Sequence, residues 1–283
     1  MKFSFHMKQL IASRKGKQDR VWKYSSKMGA RALGESLKIP VPELYYFGSL
    51  EDWPAEPVEW DGIVVKPEGS SNSRGVLPLV RTVNGWRSLL GDGTKTWGGW
   101  RAWCAFELER HKEADVDPYK DLFVIEALVD RRHENGARFL PYDWKCYAIG
   151  GRVAWINQID KTPSRNAIGY RTAHWWRSDT GLVRARRPII VQKRKTALLP
   201  RPRREAELLE VADQLARFLR ADTRTPFVRI DLFEDDQGTV FLGEITPHPS
   251  GGREVYDKDA DRILGRLWTS TAAEDDLLHP SRA

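Results

Sequence analysis

The chain has 283 residues, of which 41% are hydrophobic and 30% are charged, so the composition indicates a soluble globular protein large enough for two lobes. Its formal net charge of +7 favours an anionic partner such as a nucleotide, an acidic substrate, a nucleic acid or a membrane surface. The two cysteines, together with the lack of a signal-like or membrane-spanning segment, argue against a disulfide-rich secreted or membrane protein and predict a cytoplasmic one.

In chain order, residues 1–24 are basic and weakly patterned, and we interpret them as an N-terminal arm. A first lobe is predicted for residues 25–125. It begins with a serine-capped helix at residues 25–37, which is stopped by two prolines shortly after it.

A strand at residues 62–66 ends in Lys66 and is followed by a polar, glycine-flanked loop at residues 68–75. Backbone N–H groups in such a loop line a concavity, glycine permits close approach, and the lysine adds charge, so the pattern suits phosphate. The GxxxxGK[ST] pattern of a Walker A loop is missing. A plain strand–turn–strand remains the alternative.

A second lobe is predicted for residues 126–268, followed by a loose acidic tail at residues 269–283. It contains an antiparallel pair near residues 143–159, in which alternation places Asp143 and Lys145 on one face. An amphipathic helix at residues 205–219 is predicted to pack on the sheet.

The most informative stretch is a hairpin within residues 227–246. If its turn consists of two residues, 237 and 238, then Asp231 lies opposite Glu244 and Arg229 lies opposite Thr246. Directly opposed side chains are about 5 Å apart at Cβ, so two carboxylates there need a shared proton or a cation, and hard oxygen ligands suit Mg²⁺. A solvated polar face is the alternative, and a longer turn would shift the pairing by one residue.

The order of these segments resembles the ATP-grasp superfamily, and their spacing is most similar to its teichuronopeptide-biosynthesis (TupA-like) branch. The segments are VVKPEGSSNSRG, FVIEALV, YDWKCYAIGG, VRIDLF and FLGEIT, and the resemblance covers residues 25–268. It implies an α+β fold in which two α+β lobes with antiparallel sheets clamp a nucleotide.

The resemblance also implies ATP and Mg²⁺ as cofactors and assigns roles to individual residues. Lys145 would lie near the transferred phosphate, Arg229 would stabilise a tetrahedral intermediate, and Asp231 and Glu244 would bind the metal. The residues implied in nucleotide binding are Lys27 and Lys66 at the phosphates, Ser70, Ser71 and Asn72 in a lid, Glu126 and Leu128 at the adenine, and Asp143 at the ribose.

Two departures from the wider superfamily bear on these assignments. Thr246 stands where many relatives have asparagine, so the third metal ligand is a weaker hydroxyl or a water. About two dozen residues precede Lys27, where D-alanine–D-alanine ligases carry an extra domain, so we do not expect their substrate to carry over.

The predicted function is therefore an ATP-dependent ligase that joins a carboxylate to an amine through an acyl-phosphate, and the basic net charge favours acidic substrates. A kinase acting on a small-molecule or sugar hydroxyl is the first alternative. A basic nucleic-acid-binding module without catalysis is the second. We do not expect a nucleic-acid partner, because acidic and basic residues are interspersed and no nucleic-acid-binding motif is present.

Overall fold

The computed structural model describes residues 4–13, 20–69, 75–111, 121–132, 136–161, 170–191 and 195–278. Within them the chain forms a six-stranded sheet, a seven-stranded sheet and a separate two-stranded hairpin. The helices are α1 (Phe5–Ser13), α2 (Lys27–Ser36), α3 (Trp97–His111), α4 (Glu205–Thr223) and α5 (Lys258–Leu278). None of the described helices is both long enough and apolar enough to cross a membrane.

The six-stranded sheet is antiparallel throughout, in the order β1-β6-β2-β3-β4-β5. Its strands are β1 (Leu44–Ser49), β2 (Gly62–Pro67), β3 (Leu77–Thr82), β4 (Gly85–Ser88), β5 (Thr94–Lys95) and β6 (Leu122–Ala127). Helix α3 covers one face, where Trp97 and Trp100 pack with Ile63 and Val65. The short hairpin that follows consists of β7 (Arg131–Arg132) and β8 (Arg138–Phe139).

The seven-stranded sheet has the order β12-β11-β10-β9-β14-β15, and β13 pairs with β11. Its strands are β9 (Asp143–Ile149), β10 (Arg152–Asp160), β11 (Arg171–Ser178), β12 (Gly181–Arg184), β13 (Lys195–Thr196), β14 (Phe227–Glu234) and β15 (Val240–Thr246). Helix α4 packs its apolar stripe on one face of this sheet, so Leu208 and Leu215 join Trp144 and Ile230 in the largest core cluster. The amphipathic helix predicted at residues 205–219 is confirmed by α4.

Helix α2 confirms the predicted serine-capped helix, with the Ser26 side chain accepting a hydrogen bond from the Gly29 N–H. Its apolar residues Ala30 and Leu33 pack in the core of the seven-stranded sheet. The sequence assigned this helix to the first lobe, but its apolar stripe lies against the sheet of the second. A helix with one apolar stripe can cover either sheet, so position along the chain did not decide which one.

The ends of the chain differ from the predicted arm and tail. In α1, Phe5 is fully buried, and its ring centroid lies 5.2 Å from Phe227, 5.0 Å from Tyr256 and 5.6 Å from Trp268. Helix α5 continues to Leu278, beyond the predicted end of the second lobe at Trp268. Helix α1 is therefore anchored against β14 and α5, where Phe5 packs among aromatic rings and the His6 N–H donates to Asp261.

The β14–β15 hairpin has the pairing that the sequence predicts for its four candidate site residues. Asp231 pairs with Glu244, and Arg229 pairs with Thr246. These four residues therefore lie on two adjacent antiparallel strands.

The turn of this hairpin was predicted wrongly. The strands end at Glu234 and resume at Val240, so the loop is longer than the two residues expected. Leu232 pairs with Leu242, and the register shifts between Asp231 and Leu232, which leaves Gly243 as a bulge. The longer loop moves the pairing by one residue and the bulge moves it back.

Replacing Gly243 with alanine should lower the free energy of unfolding by about 1 to 3 kcal/mol, the usual cost of overpacking. A Cβ atom at this position would lie 2.3 Å from Cε2 of Phe233, so the ring or the bulge has to move. Urea denaturation measures the loss. Gly98→Ala is the control, because a Cβ there meets nothing within 4 Å. If Gly243→Ala were as stable as Gly98→Ala, the bulge would not be packed in this way.

Candidate active site

One face of the seven-stranded sheet carries a row of charged side chains, while the opposite face is buried under α2 and α4. The register pairs Lys145 on β9 with Asp231 on β14, and Asp231 with Glu244 on β15. Three charged residues distant in sequence therefore stand side by side on three neighbouring strands. Strand alternation adds Asp143 and Arg229 to the same face.

Asp231 is the most heavily contacted acid of this row. Arg229 binds it through two parallel hydrogen bonds, Nε to Oδ1 at 2.6 Å and Nη2 to Oδ2 at 2.8 Å. Lys145 forms an ion pair with the same carboxylate. Arg229 Nη2 also donates to the Thr246 hydroxyl at 2.8 Å. Burial alone would lower the pKa of Arg229, but the neighbouring Asp231 carboxylate raises it well above its ordinary value, so Arg229 is a fixed cation.

Asp143 lies between two lysines. Its Oδ2 atom is 3.1 Å from Lys145 Nζ and 2.9 Å from Lys161 Nζ. Burial raises the pKa of Asp143, but the two lysines outweigh burial and hold the pKa well below its ordinary value. Its Oδ1 atom is buried and has no hydrogen-bond partner among the described residues. An acceptor of this kind suits a ligand hydroxyl.

A buried ion network links β2, β6 and α2. Lys66 Nζ lies 2.5 Å from Glu126 Oε1, and Arg31 Nη2 lies 3.2 Å from Glu126 Oε2. Arg31 also donates to the Pro42 carbonyl. All three charged side chains are at most 11% exposed. Because α2 packs on the second sheet, this network joins the two sheets.

The N-terminus of α2 is held by Glu68, the first residue of the predicted lid. Its carboxylate accepts the backbone N–H groups of Lys27 and Met28, each at 3.1 Å, and Lys27 Nζ donates to the Glu68 carbonyl at 2.9 Å. Burial is the main cause of a lowered Lys27 pKa; Glu244 opposes the shift and Lys66 adds to it. Lys27 therefore lies in the field of Glu244, a member of the charged row on the second sheet.

Four further residues were predicted to contact the nucleotide, three in the lid and one at the adenine. Ser70, Ser71 and Asn72 lie outside the described residues. The Leu128 N–H, assigned to the adenine edge, donates to the Gly62 carbonyl at 3.1 Å. The prediction for Leu128 therefore depends on its carbonyl oxygen.

The donor set fits a cation that takes most of its ligands from substrate phosphates and water rather than from protein side chains. Among the described residues no group of three or more histidine, cysteine, aspartate and glutamate side chains has metal-binding geometry. Mg²⁺ commonly uses only one or two carboxylates together with phosphate oxygens and waters. Asp231 and Glu244, with the Thr246 hydroxyl between Arg229 and Glu244, meet that lesser requirement.

Two charged residues of the site were missed in the sequence. Arg31 lies inside a helix that was interpreted only through its cap and Lys27, and Lys161 follows a strand directly. Each contacts a predicted site residue, Glu126 and Asp143 respectively. For Lys161 the available signal was its position. Ile159 pairs with Asp143, and Lys161 follows Ile159 by two residues, so it lies near Asp143 on the same face.

The sequence matches the family described as TupA-like ATPgrasp over residues 6–269. The chain belongs to this family. Membership confirms the ATP-grasp fold that the segment order predicted, and the two mainly antiparallel sheets with their helices are its two α+β lobes. No curated protein matches the sequence.

Solved structures of ATP-grasp proteins resemble this TupA-like chain at low identity. D-alanyl-alanine synthetase A from Vibrio cholerae is 12% identical with a TM-score of 0.47, over 89% of this chain and 65% of that one. D-alanine–D-alanine ligase from Helicobacter pylori is 14% identical with a TM-score of 0.44, over 87% of this chain and 58% of that one. L-amino acid ligase from Bacillus licheniformis is 11% identical with a TM-score of 0.43, over 81% of this chain and 42% of that one. The chain thus spans less than two thirds of each of these proteins.

Proposed function

We propose that this TupA-like ATP-grasp protein is an ATP-dependent ligase that joins a carboxylate to an amine through an acyl-phosphate. The observation that carries the proposal is the row of Lys145, Asp231 and Glu244 with Arg229 beside it. Family membership supports the use of ATP. The substrates are small molecules, one offering a carboxylate and the other an amine.

The nucleotide is proposed to lie between the two sheets. Lys27 and Lys66 would contact the α- and β-phosphates. Asp143 Oδ1, which has no hydrogen-bond partner in the part of the chain that the structure describes, would accept a ribose hydroxyl. Glu126 and Leu128 would lie at the adenine, with residues 70–72 in the lid. In the structure Lys66 is held by the Glu126 carboxylate, and Lys27 donates to the Glu68 backbone carbonyl. Such pairing positions a cation before its phosphate arrives, so little reorganisation is needed.

Asp231 and Glu244 would hold Mg²⁺, which neutralises charge on the β- and γ-phosphates when it is bound. The protein's own cations act at the transferred phosphate and at the acyl carbon. Lys145 would stabilise charge on the γ-phosphate. Arg229, fixed by Asp231 and Thr246, would donate to the oxyanion that forms when the amine attacks.

The test is substrate-dependent ATP consumption by the purified protein in Mg-ATP. A panel of amino acids and other small carboxylates is offered with and without amines, and ADP, AMP and phosphate are measured. We expect ADP and phosphate to appear in amounts equal to the amide, and only when a carboxylate and an amine are both present. AMP release, or a phosphorylated hydroxyl compound with no amine requirement, would contradict the ligase and favour another transfer reaction.

A further inference from the structure

The direction of β9 indicates where the amine must approach, provided that the proposed function holds. Asp143, Lys145 and Tyr147 share one face of the strand and stand about 7 Å apart in succession. With the ribose at Asp143 and the transferred phosphate at Lys145, the next step along the strand is Tyr147. Tyr147 pairs with Arg229 on β14, so this step lies beside the proposed oxyanion donor.

A carboxylate stands at this position that no predicted role uses. Glu254 lies in the segment between β15 and α5, and its residue is half-buried. The Tyr147 hydroxyl donates to its Oε1 atom at 3.0 Å, and the Tyr256 hydroxyl donates to Oε2 at 2.7 Å. Gln9 Nε2 in turn donates to the Tyr256 hydroxyl at 3.1 Å.

The two tyrosines keep their protons and act as fixed donors to Glu254. Burial is the main cause that raises the pKa of Tyr147 and of Tyr256 well above the ordinary value, and the Glu254 charge adds to it. A carboxylate offers about four lone-pair positions, of which the tyrosines occupy two. The remaining positions on Glu254 are those that a ligand N–H group would use.

The Tyr147 side chain is a rigid support for Glu254. Its ring is fully buried and stacks on Trp155 with centroids 3.7 Å apart, so the hydroxyl that binds the carboxylate is fixed in position. Arg229, on the strand that pairs with that of Tyr147, is held by Asp231. A carboxylate on such a support suits an ammonium group.

The segment that carries Glu254 is held in place by two other parts of the chain, α1 and residues 189–191. His6 Nδ1 in α1 lies 2.8 Å from the Glu254 carbonyl oxygen. The Val191 N–H donates to the Val255 carbonyl, and the Asp257 N–H donates to the Ile189 carbonyl. A side chain on a supported segment is preorganised for binding.

From these contacts we infer that Glu254 binds the protonated amino group of the amine substrate and accepts one of its protons, which frees the nitrogen lone pair to attack the acyl carbon. The C–O bond to phosphate then breaks, and the second proton leaves with the phosphate. The amine substrate is therefore a cationic one. Tyr147 and Tyr256 are positioning residues that aim the carboxylate. This inference rests on the proposed ligase activity and adds the class and the binding residue of the second substrate.

The experiment compares wild-type protein with Glu254→Gln, which keeps the side-chain shape and removes the charge. The carboxylate is the one from the amino-acid panel that supports the fastest ATP consumption. Methylamine, which is protonated near neutral pH, is compared with hydroxylamine, which is not. We expect the variant to raise the KM for methylamine at least tenfold while the KM for ATP changes less than twofold. Amide formation should fall at least tenfold more than hydroxamate formation.

Asp259→Asn is the matched control, because Asp259 is an exposed acid whose side chain pairs with Arg262. Its kinetic constants should equal those of wild type. If Glu254 only ties its segment to β9, then Glu254→Gln and Tyr147→Phe would lower the melting temperature and depress both amine reactions equally. That result would overturn the inference, as would a wild-type protein that makes hydroxamate but no amide with methylamine or any amino acid. If no carboxylate yields hydroxamate, the ligase activity itself fails.

Discussion

Replacing Lys66 with methionine should lower kcat/KM for ATP by a factor of about 10² to 10³, the usual effect of removing one donor to a reacting charge. Lys66 is 9% exposed at the end of β2, and its Nζ atom faces the Glu126 carboxylate. In the proposed function a phosphate of the nucleotide competes with Glu126 for the Lys66 ammonium group. Steady-state ATP consumption with saturating carboxylate and amine measures the loss.

The Lys66→Met variant also leaves Glu126 with Arg31 as its remaining partner in this network. The Lys66→Met substitution should therefore lower stability as well as activity, and the double variant Lys66→Met/Glu126→Gln distinguishes these two effects. The double variant should regain the melting temperature and not the activity. Lys23→Met is the surface control, since Lys23 pairs with Asp222 and its side chain is 55% exposed. Wild-type turnover in Lys66→Met would exclude Lys66 as a phosphate ligand.

Replacing Arg229 with methionine should lower amide formation by about 10² to 10³ and lower hydroxylamine trapping of the acyl-phosphate by much less. A carboxylate–amine ligase stabilises an oxyanion at the acyl carbon when the amine attacks, and a kinase has no such step. Arg229 is fixed for this role by two hydrogen bonds to Asp231 and one to Thr246. Its loss should appear in kcat rather than in the KM for the amine.

The competing role for Arg229 is structural. If it only pairs with Asp231 to hold the hairpin, then Mg²⁺ affinity, melting temperature and both reactions should fall together. Arg229→Lys keeps one charge without the parallel pair of hydrogen bonds and should recover stability more than catalysis. Equal losses in amide and hydroxamate formation, together with a lowered melting temperature, would rule out the catalytic role.

The sequence predicted the charged row because strand alternation and hairpin pairing are local rules. They placed Asp231 opposite Glu244, and that pairing is confirmed. The turn length was wrong, and the pairing survived because Gly243 forms a bulge. The Phe233 ring packs over Gly243 within the hairpin, and this close approach is a three-dimensional contact that the alternation of residues along each strand does not reveal.

Contacts between distant segments were harder to predict. Arg31 reaches Glu126 only because α2 lies between the two sheets, and Glu254 reaches Tyr147 only because its segment folds back over β9. Neither residue belongs to a short motif. The docking of α1 was missed for the same reason, since its buried residues Phe5 and Gln9 contact segments far along the chain. Periodicity reports the apolar face of an element and not the partner of that face.

The transfer of carboxylate oxygen to phosphate tests the acyl-phosphate route most directly. The carboxylate substrate is labelled with oxygen-18 in both oxygens, and the released phosphate is analysed by mass spectrometry after turnover with Mg-ATP and the amine. We expect one labelled oxygen in the phosphate for each amide formed, because the C–O bond to phosphate breaks when the amine attacks. Unlabelled phosphate alongside the amide, or a phosphorylated product without amide, would contradict the ligase mechanism.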